Sequence, residues 1–350
     1  MPDFRSDLPI TRFFACIFFI VAGLTILIAG FVFVVDPYAI WRHRDTRGVN
    51  AIRLDPPSAN QPGAAVLRSA LRSPEVLILG SSRVRRGFNE TLASRLHGSK
   101  VQVVGIDALP LSKSTALYLA ISKDSPVKKL YLEVSYLTSS GCEVKNATEA
   151  DDNGYAGSFY FLSPRDAFMH SLRTVKANLL PLRPFDSYFD SEGYYYDDPS
   201  AGASRAGDIE SHASRYSRFF QATAKACRRN ASTATDIRNL AEILRLARRT
   251  HTEVFLLVLP ASARWQERIR QAGLAQKAAR WKMDVAALAL RSDATLLDYE
   301  QRGDAESPGD AGDLHMPVYW DEIHFSNRLG DRLLSDMLHA NPARGTPGSR

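Results

Sequence analysis

Three side chains have the types and placement for covalent acyl chemistry: Ser82, Asp321 and His324. Ser82 follows the run Val76-Leu77-Ile78-Leu79-Gly80-Ser81, in which four apolar residues break off at Gly-Ser-Ser. The run is too short for a helix and reads as a buried strand. A serine there sits on the carboxyl edge of a sheet, where strand ends and helix amino-termini converge in open α/β folds. Gly-Ser-Ser is also ordinary turn chemistry, and Ser81 competes with Ser82 as nucleophile on sequence alone. Far downstream, Trp320-Asp321-Glu322-Ile323-His324-Phe325-Ser326-Asn327 precedes a helical pattern of Leu329, Leu333, Leu334, Met337 and Leu338. An Asp three residues before a His can hold the imidazole Nδ1 and leave Nε2 to take a proton from a hydroxyl. An alcohol needs such a base to act as a nucleophile at neutral pH.

Strand-Gly-x-Ser near the start of a domain and Asp-x-x-His near its end resemble the SGNH (GDSL-like) hydrolase superfamily. The Gly-Ser-Ser-Arg variant behind an apolar amino-terminal segment is similar to the extracytoplasmic acyltransferases of bacterial polysaccharides, of the alginate acetylation and teichoic acid D-alanylation type. The resemblance spans residues 70 to 340 apart from an insertion. It implies Ser82 as nucleophile, since the third position of Gly-x-Ser is the one the family uses, with His324 as base and Asp321 as orienter. It also implies an oxyanion hole built from the backbone N–H groups of Ser82 and Gly105; Gly105 is equally well explained as a strand-end turn residue. The family's Asn after the third strand is missing from Leu132-Glu133-Val134-Ser135-Tyr136, and Ser135 is the candidate substitute donor. Losing one such donor typically costs about a hundredfold or more in rate. Arg83 can contact an anionic substrate group, or project to solvent or to a core carboxylate.

The remaining sequence must bring these stretches together. Strands at Val76 to Leu79, Val101 to Val104, Leu130 to Val134, Val254 to Leu259 and Ala294 to Leu297 alternate with helices at Asn89 to Leu96, Thr115 to Ile121 and around Ile237 to Leu244. Such alternation predicts a flavodoxin-like three-layer α/β/α fold on a parallel sheet. Residues 138 to 234 interrupt it as an aromatic-rich insertion, including Tyr155, Phe159, Tyr160, Phe161, Tyr188, Phe189, Tyr194, Tyr195, Tyr196, Phe219 and Phe220. Leaving the third strand, this insertion emerges beside the catalytic edge, as a lid or glycan platform or as a small core of its own.

The expected organisation is a cytoplasmic stub at 1–12, a transmembrane anchor at 13–35, a juxtamembrane connector at 36–73 that lifts the domain off the membrane, an SGNH-like domain at 74–340 and a tail at 341–350. Phe13 to Val35 is free of charge and long enough to cross a bilayer. No small-x-small cleavage site closes it, which favours an anchor over a signal peptide. Arg42, Arg44 and Arg47 beyond the run, against Arg5 and Arg12 before it, would by count keep the domain inside, whereas the resemblance places it in the periplasm of a bacterial inner-membrane protein. The net charge of +6 is dispersed, with no dense basic block, and argues against a nucleic-acid partner. Of three cysteines, Cys16 lies in the anchor; Cys142 and Cys227 can form a disulfide in an oxidising compartment or remain two buried thiols. His315 and His339 lack spaced partners, so no metal is expected, and a covalent serine mechanism needs no cofactor. The resemblance further implies a polysaccharide acceptor and an acyl donor delivered by a multi-spanning membrane acyltransferase. An esterase with the same triad and a non-catalytic polysaccharide-binding subunit are the alternatives.

Overall fold

The computed structural model describes residues 8–41, 45–54, 61–136, 164–180, 187–197, 220–228, 234–300 and 318–339. Its centre is a five-stranded parallel sheet built from β2 (Val76–Gly80), β3 (Val101–Gly105), β4 (Lys129–Glu133), β7 (Glu253–Val258) and β8 (Thr295–Asp298). The spatial order is β3-β2-β4-β7-β8. The chain thus crosses from β2 to β3 on one side and then to β4 on the other, the flavodoxin-like order, whose switch point is the crevice between the ends of β2 and β4.

Strand residues alternate between two apolar layers because successive side chains leave a strand on opposite faces. Leu77, Leu79, Leu130, Leu132, Val254 and Leu256 pack against helices Gln61–Arg72, Leu111–Asp124, Ala234–Arg249 and Ala275–Arg291. Val76, Ile78, Tyr131, Phe255 and Leu257 pack against helices Ser82–Gly87, Glu90–His97 and Asn327–His339. The three layers expected from the sequence are present, with strand ends shifted by a residue or so.

Two helices of the second layer meet backbone to backbone. A Cβ at Gly330 would fall 1.7 Å from the Gly87 carbonyl oxygen, and one at Gly87 would fall 2.1 Å from the Phe325 ring. The Asn327 side-chain amide donates to the same Gly87 carbonyl at 3.2 Å. This glycine contact lets the helix that begins with Ser82 lie against the helix that follows His324.

The first helix, Leu8–Val35, includes Thr11–Val35, long and apolar enough to cross a membrane. It ends at Asp36, whose φ of 46° is left-handed and whose wholly buried carboxylate accepts from the Ile40 N–H at 2.7 Å. The connector corrects expectation here. Tyr38 and Ile40 are buried with Ala64 and Ala167, β1 (Arg53–Leu54) pairs antiparallel with β5 (Ser187–Phe189), and residues 61–72 are helical despite Pro62 and Gly63. Proline is tolerated in a first helical turn, where its missing N–H has no partner to lose. The described residues of 36–73 thus pack with the domain, where a spacer beneath it was expected.

Of the insertion, helix Pro164–Leu179, the hairpin of β5 with β6 (Tyr195–Asp197) and a helix at 220–228 are described. Phe220 and Cys227 enter the main core, and Phe220 meets Trp265 edge to face at 4.9 Å. Tyr188 stacks on Tyr196 at 5.3 Å and Phe189 meets Tyr195 at 5.3 Å, so these four follow the packing alternative. Tyr155, Phe159, Tyr160, Phe161 and Phe219 lie outside the described residues. Cys227 is disulfide-bonded and Cys16 is free and exposed; Cys142 lies outside the described residues.

Candidate active site

At the switch point β2 ends in Gly80, and the chain turns into the short helix Ser82–Gly87. Ser81 caps that helix, its hydroxyl accepting from the Arg83 N–H at 3.2 Å. Ser82 is therefore its first residue, with its N–H ahead of the first intrahelical bond.

The hydroxyl of Ser82 lies 2.7 Å from His324 Nε2. The other ring nitrogen, Nδ1, lies 2.6 Å from Asp321 Oδ2, and a carboxylate partner places the proton on Nδ1. Asp321 Oδ1 accepts from the backbone N–H groups of Ile323 and His324 at 2.8 and 2.9 Å. Ser82 and the Asp321–His324 pair, far apart in the sequence, thus form one hydrogen-bonded row. Ser81 turns the other way and serves as cap, which removes it as the nucleophile in this geometry.

Burial opposes ionisation of Asp321, but the adjoining His324 ring and the two backbone donors outweigh it, and the carboxyl is held well below the ordinary carboxylate range. His324 is buried, 3% exposed. Its loop is fixed on both sides. Trp320 N–H donates to the His324 carbonyl at 2.8 Å, Tyr319 bridges to Phe325, and Ser262 Oγ donates to the Glu322 carbonyl at 2.7 Å. The Glu322 carboxylate in turn takes Arg268 at 2.5 Å and Arg264 at 3.1 Å.

One participant was not anticipated. Glu133, the last residue of β4, reaches across the switch point beneath the nucleophile turn. Its Oε2 accepts from the Ser81 N–H at 2.6 Å and its Oε1 from the Ser81 hydroxyl at 3.1 Å. Gly80 is required by this arrangement, since a Cβ there would fall 2.5 Å from Glu133 Oε2. Arg83 lies 3.5 Å from Glu133 and also donates to the Pro260 carbonyl. Of the alternatives for Arg83, the geometry is that of contact with a core carboxylate: the guanidinium is engaged inside the fold, where a buried carboxylate demands a cation.

Of the residues expected to supply oxyanion donors, Ser82 opens the short helix and Gly105 lies against its first turn. A Cβ at Gly105 would fall 2.4 Å from Arg85 N and 2.6 Å from the Ser81 carbonyl oxygen, so close packing alone explains the glycine. Ser135 is half-buried beyond β4; from this segment it is Glu133 that holds the nucleophile turn. Among the described residues no group of three His, Cys, Asp or Glu side chains could hold a metal ion.

The hairpin of the insertion borders the site. Tyr195, wholly buried, meets Trp320 edge to face at 6.1 Å, and its N–H donates to Asn327 Oδ1 at 2.8 Å. The neighbouring Tyr194 donates to Asp331 on the carboxyl-terminal helix, whose carboxyl burial nevertheless pushes up from 3.8 to about 6. A carboxyl raised in the folded state stabilises fully below its ordinary value, and that contribution is lost as pH rises through about 6. Asp331→Asn is accordingly expected to raise the melting temperature above neutral pH and to leave it unchanged below pH 3.8, read by thermal unfolding at both ends.

No family model matches the sequence, and no curated protein matches it. Among solved structures, the chain is similar to a Bacteroides fragilis NCTC 9343 protein assigned as an acylhydrolase, with 12% identity, 78% of this chain and 95% of the other covered, and a TM-score of 0.37. It is similar too to a GDSL-like lipase from Bacteroides thetaiotaomicron VPI-5482, with 13% identity, coverage of 81% and 96%, and a TM-score of 0.36. The class of the chain rests on its own sheet order and register: an α/β protein with a parallel five-stranded sheet and one amino-terminal apolar helix.

Proposed function

We propose that this chain is a serine-dependent acyl-group catalyst, anchored by its first helix to a bacterial inner membrane with the domain in the periplasm. The observation that carries the reading is the Ser82–His324–Asp321 row at 2.7 and 2.6 Å. In the first half-reaction Ser82 Oγ attacks an ester or thioester carbonyl as its proton passes to His324 Nε2. Collapse of the tetrahedral adduct breaks the bond to the leaving group, which takes that proton, and leaves an acyl-Ser82 ester. In the second, a hydroxyl gives its proton to His324 as its oxygen attacks the ester; the acyl–Oγ bond breaks, the acyl group leaves on the acceptor oxygen, and His324 returns the proton to Ser82 Oγ.

We favour a carbohydrate hydroxyl of a cell-envelope or secreted polysaccharide as acceptor, with the donor supplied by a multi-spanning membrane acyltransferase. Both rest on the resemblance of the Gly-Ser-Ser-Arg and Asp-x-x-His stretches behind an apolar anchor. Water as acceptor makes the same site an esterase.

The test is mass spectrometry of the detergent-solubilised full chain after exposure to a small activated acetyl ester, beside Ser82→Ala. An acetyl adduct mapped to Ser82 and missing from the variant is expected. Faster discharge of the adduct by an acceptor oligosaccharide than by water supports transfer. A folded protein that carries no adduct, or carries it elsewhere, overturns the reading.

A further inference from the structure

Helix Pro164–Leu179 has its side chains distributed in the reverse of the usual order for a soluble domain. The face it buries is small and polar: Ala167, His170, Ser171, Thr174 and Ala177. The face it leaves open carries Met169, Leu172 and Leu179, with Leu180 next in the chain, exposed by 44, 43, 66 and 53%. Arg165, Arg173 and Lys176 are exposed among them. At 100° per residue these seven positions share one arc of about 120°. An apolar stripe studded with basic side chains is the pattern of a helix lying in the plane of a lipid interface, its apolar groups at the headgroup–acyl boundary and its cations among anionic phosphates.

The position of the helix identifies the occupant. It packs directly on the apolar first helix, with Phe31 meeting Phe168 edge to face at 5.8 Å, and Val32 joins the small cluster that contains Ala167. The exposed stripe therefore belongs to a helix that is in direct contact with the candidate span. We infer that Pro164–Leu179 is a second membrane contact, an interfacial helix seated on anionic lipid beside the anchor. The inference rests on reading the first helix as a span, not on the chemistry of Ser82.

A consequence for the site follows from the contacts beyond the helix. Asn178 exchanges hydrogen bonds with the backbone of Ile52 at 2.9 and 2.7 Å, the adjoining β1 pairs with β5, and the hairpin reaches Trp320 and Asn327. An interfacial helix held in this way sets the orientation of the catalytic edge to the bilayer, which a single flexible anchor would leave free.

The test uses the full chain in nanodiscs containing phosphatidylglycerol, with an environment-sensitive fluorophore on Leu172→Cys or Leu179→Cys in a Cys16→Ser background. Leu290→Cys, at an 84% exposed position, is the control, and wild-type Cys16 reports on the span. Expected are blue-shifted emission at 172 and 179, quenching by nitroxides at the lipid headgroup, and neither effect at 290. Replacing phosphatidylglycerol by phosphatidylcholine should weaken the quenching. Water-like, unquenched emission at 172 and 179 while Cys16 is quenched by a deep nitroxide overturns the inference and leaves the span intact. Blue-shifted emission without lipid quenching means that protein covers the stripe, a second copy or a partner, and overturns it too. An unquenched Cys16 removes the span and the inference with it, whereas the Ser82 adduct is unaffected by any of these results.

Discussion

Ser82→Ala is expected to eliminate turnover of an activated ester, and His324→Ala to reduce kcat almost as far, on the order of 10⁶-fold in each case. Asp321→Asn is expected to cost on the order of 10⁴-fold, because the amide keeps the geometry but favours the wrong imidazole tautomer. The reason for near-equal losses at Ser82 and His324 is structural. One proton moves along one line, from Ser82 Oγ to a ring held 2.7 Å away, and either end is useless alone. The double variant Ser82→Ala/His324→Ala should therefore be no worse than either single one, measured as kcat/KM with the same ester. Additive losses would show that the two groups act in separate steps. Mild acid should not imitate Asp321→Asn, since the ring and two backbone N–H groups keep that carboxyl ionised well below the ordinary carboxylate range.

The juxtaposition of Ser82, His324 and Asp321 was legible because each of the three carries a local signal. A strand that breaks off in Gly-Ser-Ser and an Asp three residues ahead of a His at a helix start are patterns of sequence neighbours, and the Asp321 side chain bonds within its own four-residue loop. The sheet was legible for the same reason, since its strands are apolar runs buried on both faces. The connector was not. Its two-residue strand β1 is too short to show a period, and helix Gln61–Arg72 buries Ala64, Ala65 and Ser69, small side chains that leave little apolar rhythm to read. The partners that bury this stretch lie elsewhere in the chain: Ala64 clusters with Ala167, Ser69 bonds to Gln102, and Arg53 pairs with Phe189.

Glu133 was hidden differently. In sequence nothing marks it out, since a glutamate at a strand end is commonly a solvent-facing residue. What makes it part of the site is register. Leu79 opposite Leu132 puts Gly80 beside Glu133 at the switch point, and only a glycine there leaves room for the carboxylate. Two odd features, the Gly in Gly-Ser-Ser and a charged residue closing an otherwise apolar strand, were one feature seen from two strands.

Removing that carboxylate should be the most damaging change outside Ser82, His324 and Asp321. Glu133→Ala leaves the Ser81 N–H and hydroxyl without their acceptor and Arg83 without its counter-charge, in a place where the glutamate side chain is 2% and the arginine 13% exposed. Breaking a buried pair from one side costs about 3–5 kcal/mol, which thermal or urea unfolding would register directly. Glu133→Gln separates stability from positioning. Its amide oxygen can still take the Ser81 N–H, while its NH₂ group replaces an acceptor that faced Arg83, so a smaller loss of stability is expected. The nucleophile turn nevertheless shifts. A displacement of about 1 Å at a reacting group costs about a hundredfold, so kcat of folded Glu133→Gln should fall by about that factor with KM nearly unchanged. A merely structural carboxylate would lower the unfolding temperature and leave kcat of the folded fraction intact. The asymmetry between the two readouts therefore decides whether Glu133 holds Ser82 in its attacking position or only holds the sheet edge together.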